Sequence, residues 1–181
     1  MGIAELRKRR SSANGVFGMK AHFHQLSPFL DDPAITQFIR GAKLIRMRRR
    51  DLVSQAISYY VATSTGLWSV ADTTAEEANE PAFNRGQIEA ALDTIRSEEA
   101  GHQMLIHDYG LSAFDVWYED LIADPDSICK GACRCVGVEC DHRFDIAQAG
   151  LKRLATARNA EWKQRFTQTH SVSANEQGNR S

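Results

Sequence analysis

The stretch AKLIRMRRRDLVSQAISYYVATSTGLW, from Ala42 to Trp68, carries the signals of a strand, a charged junction and a helix in direct succession. Ala42 to Arg49 is a short apolar run with interspersed basic residues, which predicts the second strand of the chain. Asp51 can cap a helix whose apolar residues follow at helical spacing, and Gly66 stands where that helix would end. Four of the five residues from Arg46 to Arg50 are arginines, so the junction is strongly basic.

This basic junction sits in a chain whose formal net charge is only −1. A near-neutral balance argues against a general nucleic-acid binder, which usually carries a basic excess. The carboxyl edge of a strand followed by a helix N-terminus favours a local anion site, and arginine recognises phosphate with two parallel hydrogen bonds. Ser58, two turns along the helix, could donate its hydroxyl to the same anion. The alternative is a solvated basic edge, and composition alone does not separate the two.

The 181 residues suffice for one domain with a core, and 43% of them are hydrophobic. Strands alternate with helices, which predicts an α/β fold with a parallel sheet flanked by helices, although three strands are few for such a sheet. We expect a domain over 1–167 and a polar, disordered tail over 168–181. The other predicted elements are a short helix over Ala4–Arg10, a buried strand over Val16–His24, helices over Asp32–Gly41 and Gln87–His107, an irregular acidic excursion over Ser69–Gly86, a third strand over Phe114–Leu121, a capped helix from Asp124 and a last helix over Leu151–Phe166.

Four cysteines, Cys129, Cys133, Cys135 and Cys140, lie in one short stretch with His142 nearby. Zinc sites usually show C-x2-C pairs, and this spacing has none. Small, buried apolar side chains in a reduced compartment are therefore favoured over a metal site.

No apolar run approaches the length of a transmembrane helix. The basic N-terminus lacks the apolar region of a secretory signal, and MGIAEL lacks the Ser or Thr of a myristoylation site. We therefore expect a cytoplasmic chain that does not contact a membrane.

Several stretches together resemble the sulfotransferases, and most closely the bacterial trehalose 2-sulfotransferase family. They are RRRDLVSQAISYY followed by TGLW, NGVFGMKAHFHQL upstream, VWYEDLIADPDSICKGACRCVGV with its Tyr-Glu-Asp-Leu strand end, and EWKQRFT near the C-terminus. Their order and spacing cover about Ala4 to Thr167. The resemblance implies a P-loop-NTPase-like sulfotransferase fold and 3′-phosphoadenosine 5′-phosphosulfate (PAPS) as the sulfuryl donor, without a metal. It also implies a small carbohydrate acceptor similar to trehalose, and it allows a homodimer, which is typical of that family.

The resemblance also implies roles for residues on both sides of the basic junction. In the superfamily an Arg, and a Ser eight residues later, hold the 3′-phosphate of the donor; Arg50 and Ser58 have that separation, and we expect Arg48 and Arg49 to assist them. Trp68 could stack on adenine or on a sugar ring. A core or interface position for Trp68 stays open.

A Lys-x-His pattern on a strand is the second superfamily signature, here Lys20 and His22. Lys20 would neutralise charge on the bridging oxygen of the donor, and His22, on the same face of a strand, would act as general base. In the trehalose family the base is thought to be an upstream Glu, so binding of the acceptor is the alternative role of His22. His24 shares the face as a weaker candidate for binding the acceptor. Without the resemblance, a strand end with satisfied polar groups would be the simpler interpretation.

Acidic residues elsewhere are expected to be structural. Glu98 and Glu99 are interpreted as a solvated or ion-paired helix face, Glu119 and Asp120 as a structural strand end. Trp162 is expected to anchor the last helix.

One family element is missing from the sequence, namely the first strand with the loop that wraps the 5′-phosphosulfate. We therefore expect an N-terminally truncated member and leave open whether it is active. The alternative is a non-catalytic remnant or interaction module of the same fold. Another nucleotide-dependent transferase, such as a kinase, ranks lower because no G-x4-G-K-[ST] pattern occurs, and a nucleic-acid binder ranks lower still.

Overall fold

The computed structural model describes residues 3–68, 81–145 and 157–177. Most of the predicted acidic excursion (69–80), the start of the last predicted helix (151–156) and the end of the predicted tail (178–181) lie outside these residues. The described elements are α1 Ile3–Arg10, α2 Phe23–Leu26, a 3-10 turn Ser27–Phe29, α3 Pro33–Arg40, β1 Lys43–Arg48, α4 Leu52–Thr65, α5 Arg85–Tyr109, β2 Ser112–Trp117, α6 Tyr118–Ala123, α7 Pro125–Cys135 and α8 Ala157–Gln177.

The succession of β1, a basic turn and α4 forms as its sequence predicts. Asp51 caps α4, and its carboxylate accepts the Ser54 N–H at 3.1 Å. The helix ends at Gly66, whose φ of 73° is the left-handed conformation that glycine adopts without steric cost. β1 pairs with β2 in a two-stranded parallel sheet, and helices flank it. The described part of the chain is thus a small α/β fold.

The described chain divides into two compact units, and the division falls within β1, α5 and β2. The second unit, Met47–Ile95 with Val116–Ser181, contains the main hydrophobic core. Trp162 is buried there, stacks on Tyr60 at 6.0 Å and meets Phe83 edge-on at 5.8 Å, as expected of an anchor for the last helix. The buried residues of this core lie on α4, α5 and α8 and are Ala56, Ile57, Ile88, Ala91, Leu92, Ile95, Trp162 and Phe166.

The first unit, Met1–Arg46 with Arg96–Asp115, holds together through fewer buried side chains. Phe17 packs edge-on against Phe38 at 5.8 Å. The ring of Phe23 lies so close to Gly101 on α5 that a Cβ atom there would overlap it. The absence of a side chain at position 101 therefore permits the approach of α2 to α5.

The predicted buried strand over Val16–His24 is wrong. Residues 16–21 have no regular structure, α2 begins at Phe23, and Val16 and Met19 are 37% and 51% exposed. A strand needs a neighbouring backbone for its hydrogen bonds, and within the described residues the sheet contains β1 and β2 alone. Because no strand forms here, Lys20 and His22 do not share one face of a strand.

The third predicted strand is shorter than expected. β2 ends at Trp117, and Tyr118 to Ala123 form α6. The two acidic residues after Tyr118 occupy the first turn of α6, where the helix dipole favours negative charge. At the other end of the chain, α8 continues to Gln177, beyond the point at which we expected a tail to begin. The division at residue 167 stays a prediction.

Among residues 3–68, 81–145 and 157–177, no helix combines the length and the apolar character that a membrane crossing requires.

Candidate active site

The arginine turn, which we define as Arg48–Asp51, joins β1 to α4 in the second unit. The Arg48 and Arg50 guanidinium carbons lie 4.5 and 4.9 Å from the ring centre of Trp117, the last residue of β2. A guanidinium group is attracted to the face of an aromatic ring and can stack on it. Trp117 therefore fixes two of the arginines through their faces.

Two carboxylates at the start of α6 bind the same turn. Asp120 pairs with both terminal nitrogens of Arg50, at 2.7 and 2.9 Å. Glu119 accepts the backbone N–H of Arg50 at 3.1 Å and that of Asp51 at 3.4 Å. Burial raises the pKa of Glu119, but these hydrogen bonds outweigh it and lower the pKa below its usual range. Both carboxylates therefore stay ionised and hold the turn in place.

Arg49 differs from its neighbours because one of its donors lacks an acceptor. Its guanidinium lies 4.7 Å from the ring centre of Tyr118. Its Nε is 4.0 Å from Glu119 Oε1, too far for a hydrogen bond, and this Nε is buried without a partner among the described residues. A buried N–H without an acceptor is costly.

Ser58 and Trp68 occupy the same unit as the arginine turn. The Ser58 hydroxyl donates to the Ser54 carbonyl oxygen at 2.9 Å, so in this state it is engaged with its own helix. Trp68 is 59% exposed and meets Tyr59 edge-on at 5.8 Å. Its predicted role in stacking on adenine or on a sugar ring stays a prediction.

The histidine segment, Lys20–His24, belongs to the first unit. Lys20 is exposed and precedes α2, His22 caps that helix, and His24 lies within it. The rings of His22 and His24 stack with centres 5.5 Å apart. Glu98 of α5 contacts this segment, with 2.7 Å between its Oε1 and His24 Nδ1 and 4.0 Å between its Oε2 and His22 Nδ1.

Two contacts in the structure, Glu98 with His24 and Asp120 with Arg50, were not predicted from the sequence. Glu98 was expected on a solvated or ion-paired face, and its carboxylate lies within hydrogen-bond distance of the His24 ring. Asp120 has the structural role expected of it, but its attachment to Arg50 was not foreseen. The pairing of Asp120 with Arg50 could have been predicted from the strand order. The carboxyl ends of paired parallel strands lie at the same sheet edge, so the residues after Trp117 lie near those after Arg48. The arginine turn and the histidine segment lie in different units, and each is described by itself.

The cysteines lie on and just after α7, which Asp124 caps by accepting the Ser127 N–H at 3.0 Å. All four thiols are free and half-buried. Burial raises the pKa of Cys129 and of Cys133, which keeps both thiols protonated and unreactive. Across the described ranges, no group of three or more His, Cys, Asp or Glu residues is arranged to hold a metal ion.

Comparison with known proteins agrees with the resemblance in the sequence. The Stf0 sulphotransferase family model matches residues 3–169 of the 181. Trehalose 2-sulfotransferase of Mycobacterium tuberculosis (strain ATCC 35801 / TMC 107 / Erdman) is 25% identical over 122 residues, which are 67% of this chain and 44% of that protein. The matched segment thus spans less than half of that relative's length. The predicted sulfotransferase resemblance is confirmed, and the chain belongs to the Stf0 sulphotransferase family.

Proposed function

We propose that this chain transfers a sulfuryl group from PAPS to a hydroxyl of a small carbohydrate similar to trehalose. The observation that carries the proposal is the arginine turn, where three successive arginines follow one another at the end of β1, two of them against Trp117 and one against Tyr118, in a member of a sulfotransferase family. The proposal retains a cytoplasmic location, no metal and the option of a homodimer. The predicted truncation stays an expectation.

The 3′-phosphate of the donor would bind at the arginine turn. Arg48 and Arg50 rest their faces on Trp117, and the terminal nitrogens of Arg50 would exchange their bonds to Asp120 for bonds to phosphate oxygens. Arg49 would contribute its positive charge, because its Nε is buried between Tyr118 and Glu119. Ser58 would exchange its bond to the Ser54 carbonyl oxygen for one to the phosphate.

For the sulfuryl transfer itself, the candidate residues that the sequence offers lie in the histidine segment. The reaction needs alignment of donor and acceptor, neutralisation of charge on the leaving oxygen and removal of the acceptor proton. Lys20 would supply the positive charge, and His22 is the base that the sequence favours. His24 and Trp68 are separate candidates for contacts to the acceptor, one in each unit.

A second candidate is a non-catalytic binding or interaction module of the same fold. One observation favours it, namely that the chain's own carboxylates already satisfy much of the arginine turn. Arg50 makes two bonds to Asp120, and Glu119 accepts two backbone N–H groups. An incoming phosphate must compete with these groups, and a turn built only for stability would look the same.

Calorimetric titration with adenosine 3′,5′-bisphosphate separates the two candidates. We expect the wild-type chain to bind it, and Arg50→Ala/Ser58→Ala to bind at least about 100-fold more weakly, since two donors are removed and hydrogen bonds to charged groups are each worth about 1.5–3 kcal/mol. The matched control is Ser127→Ala/Arg134→Ala, which removes the same two side-chain types from α7.

Three outcomes are informative. Selective loss in the Arg50/Ser58 variant supports the phosphate site, whereas equal loss in the control indicates a general charge effect. A chain that is folded by circular dichroism but does not bind the nucleotide favours the non-catalytic module. For the acceptor, incubation with PAPS and trehalose followed by mass spectrometry should give a singly sulfated disaccharide.

A further inference from the structure

Asp120 binds the edge of the Arg50 guanidinium that an incoming phosphate would use. Its two carboxylate oxygens accept hydrogen bonds from the two terminal nitrogens of Arg50, at 2.7 and 2.9 Å. Arginine binds phosphate through the same pair of parallel bonds, so a carboxylate in this position engages the donors that an incoming anion needs. Asp120 is therefore an anion of the chain itself that is bound at the arginine turn.

The pair of Asp120 with Arg50 lies at the surface and can open. The Arg50 and Asp120 side chains are 50% and 44% exposed, so water can replace either partner. Ion pairs with this exposure contribute little to stability. Among the described residues, no side chain other than that of Arg50 donates a hydrogen bond to the Asp120 carboxylate. Release of Arg50 therefore breaks no other side-chain bond of Asp120.

Arg50 has two further contacts that do not depend on Asp120. Its guanidinium carbon lies 4.9 Å from the ring centre of Trp117, and its backbone N–H donates to Glu119 at 3.1 Å. Neither contact uses the terminal nitrogens. Arg48 lies against the same ring at 4.5 Å, so two positive charges are close together and favour an anion beside them, whether it is a carboxylate or a phosphate. The turn is thus suited to exchange one anion for another.

Glu119, the neighbour of Asp120, contacts the turn in a different way. Its carboxylate accepts the backbone N–H groups of Arg50 and Asp51 at 3.1 and 3.4 Å. Its Oε2 is 4.0 Å from Nη1 of Arg50, which is beyond hydrogen-bond range. Of the two adjacent carboxylates, Glu119 therefore holds the backbone of the turn, and Asp120 holds the edge of the Arg50 side chain.

We propose that Asp120 is a displaceable internal ligand of Arg50 that sets the affinity of the arginine turn for the donor nucleotide and the rate of its release. The inference rests on the proposed function, because that function assigns the 3′-phosphate to this turn. When the nucleotide binds, the terminal nitrogens of Arg50 transfer their hydrogen bonds from Asp120 to phosphate oxygens. When adenosine 3′,5′-bisphosphate leaves, Asp120 binds Arg50 again and so shortens the lifetime of the bound product. All of these residues belong to the second unit.

Calorimetric titration of the full chain with adenosine 3′,5′-bisphosphate tests this role of Asp120. We expect Asp120→Asn to bind the nucleotide about 3- to 10-fold more tightly than wild type, because loss of the exposed ion pair and of the repulsion between two anions both favour the phosphate. The gain should come mainly from slower dissociation, measured by stopped-flow displacement. Asp120→Ser, which also lacks the charge, should give a similar gain. A purely structural role of Asp120 predicts equal or weaker binding in both variants.

Two control variants separate displacement from a general effect of charge. Glu89→Gln removes a carboxylate from an exposed pair with Arg85 at 3.5 Å in the same unit, and it should leave the nucleotide affinity unchanged. Glu119→Ala removes the charge next to Asp120 together with its bonds to the backbone of the turn, and it should not tighten binding. A gain that is confined to the Asp120 variants identifies Asp120 as the group that competes with the phosphate.

The results distinguish this inference from the proposed function. If wild type binds the nucleotide and the Asp120 variants bind it no more tightly, or if Glu89→Gln or Glu119→Ala gains as much affinity, the inference is wrong and the proposed function is unaffected. If Asp120→Asn binds and wild type does not, the inference holds, and the non-catalytic module is favoured for the wild-type chain. If neither binds although both are folded by circular dichroism, the phosphate site is excluded and the inference with it.

Discussion

Asp51 connects the start of α4 to α8 and sets a pH dependence of stability. Its carboxylate accepts the Ser54 N–H at 3.1 Å, the Ser54 hydroxyl at 2.6 Å and the Lys163 ammonium at 2.7 Å. Burial raises the pKa of Asp51, but the bonds from Lys163 and Ser54 outweigh it and bring the pKa to about 2, from its ordinary value of 3.8. Folding therefore favours the ionised form.

The size of the effect follows from that difference. Between 3.8 and about 2, at about 1.36 kcal/mol for each pH unit, the ionised carboxylate contributes roughly 2.4 kcal/mol. Asp51 and Lys163 are 33% and 44% exposed, so solvent screening reduces this to about 1–2 kcal/mol. Because the folded-state pKa is the lower one, the contribution is complete above about pH 4 and is lost as the pH falls through about 2.

The perturbation is Asp51→Asn, assayed by urea unfolding across this pH range. Asparagine caps helices as well as aspartate does, so the variant retains the cap and loses the charge. We expect it to be about 1–2 kcal/mol less stable than wild type near pH 6, with the difference shrinking toward zero near pH 2. Asp51→Ala should cost about 1 kcal/mol more, from the lost cap.

Two comparisons make the reasoning refutable. Glu89→Gln removes a carboxylate from an exposed pair with Arg85 at 3.5 Å and should change stability by at most about 0.5 kcal/mol. A double-mutant cycle with Lys163→Met should return a coupling of about 1 kcal/mol near pH 6. A difference between Asp51→Asn and wild type that stays constant down to about pH 2, or a coupling near zero, would refute the account.

Three further substitutions test the core and the turns. Ile57→Ala should destabilise by about 2–5 kcal/mol in urea unfolding, because Ile57 is fully buried; a smaller loss would mean that the core around α4 collapses around the cavity. Gly66→Ala should cost about 1–2 kcal/mol, measured as a lower Tm, because φ at 66 is 73°; an unchanged Tm would contradict that conformation. Gly101→Ala should push the Phe23 ring away and speed hydrogen exchange of the Phe23 amide, which Glu98 otherwise protects; unchanged exchange would place Phe23 elsewhere.

Elements with a complete set of local signals were predictable. α3 begins after Asp32 with Pro33 and ends at Gly41, and α4 lies between its caps Asp51 and Gly66. These helices were predictable because caps act on the residues immediately beside them. The Val16–His24 segment has apolar residues but no residues that mark its ends in this way. The prediction of a strand there was wrong because a strand also depends on a partner that is far away in the sequence. The end of β2 was misplaced for a related reason, since Tyr118 suits a strand and the acidic pair after it suits a helix start.

The sequence by itself determined the family, the order of β1, the arginine turn and α4, and the residue types available for binding an anion. Those properties depend on neighbours within a few positions or on motifs read in order. Only the tertiary structure decided that Asp120 binds Arg50 and that Glu98 binds His24. The partners in these pairs are 70 and 74 residues apart, so folding and not local geometry sets their distances and their pKa values. Whether an arginine or a histidine is free, paired or held in one tautomer is therefore a property of the folded chain.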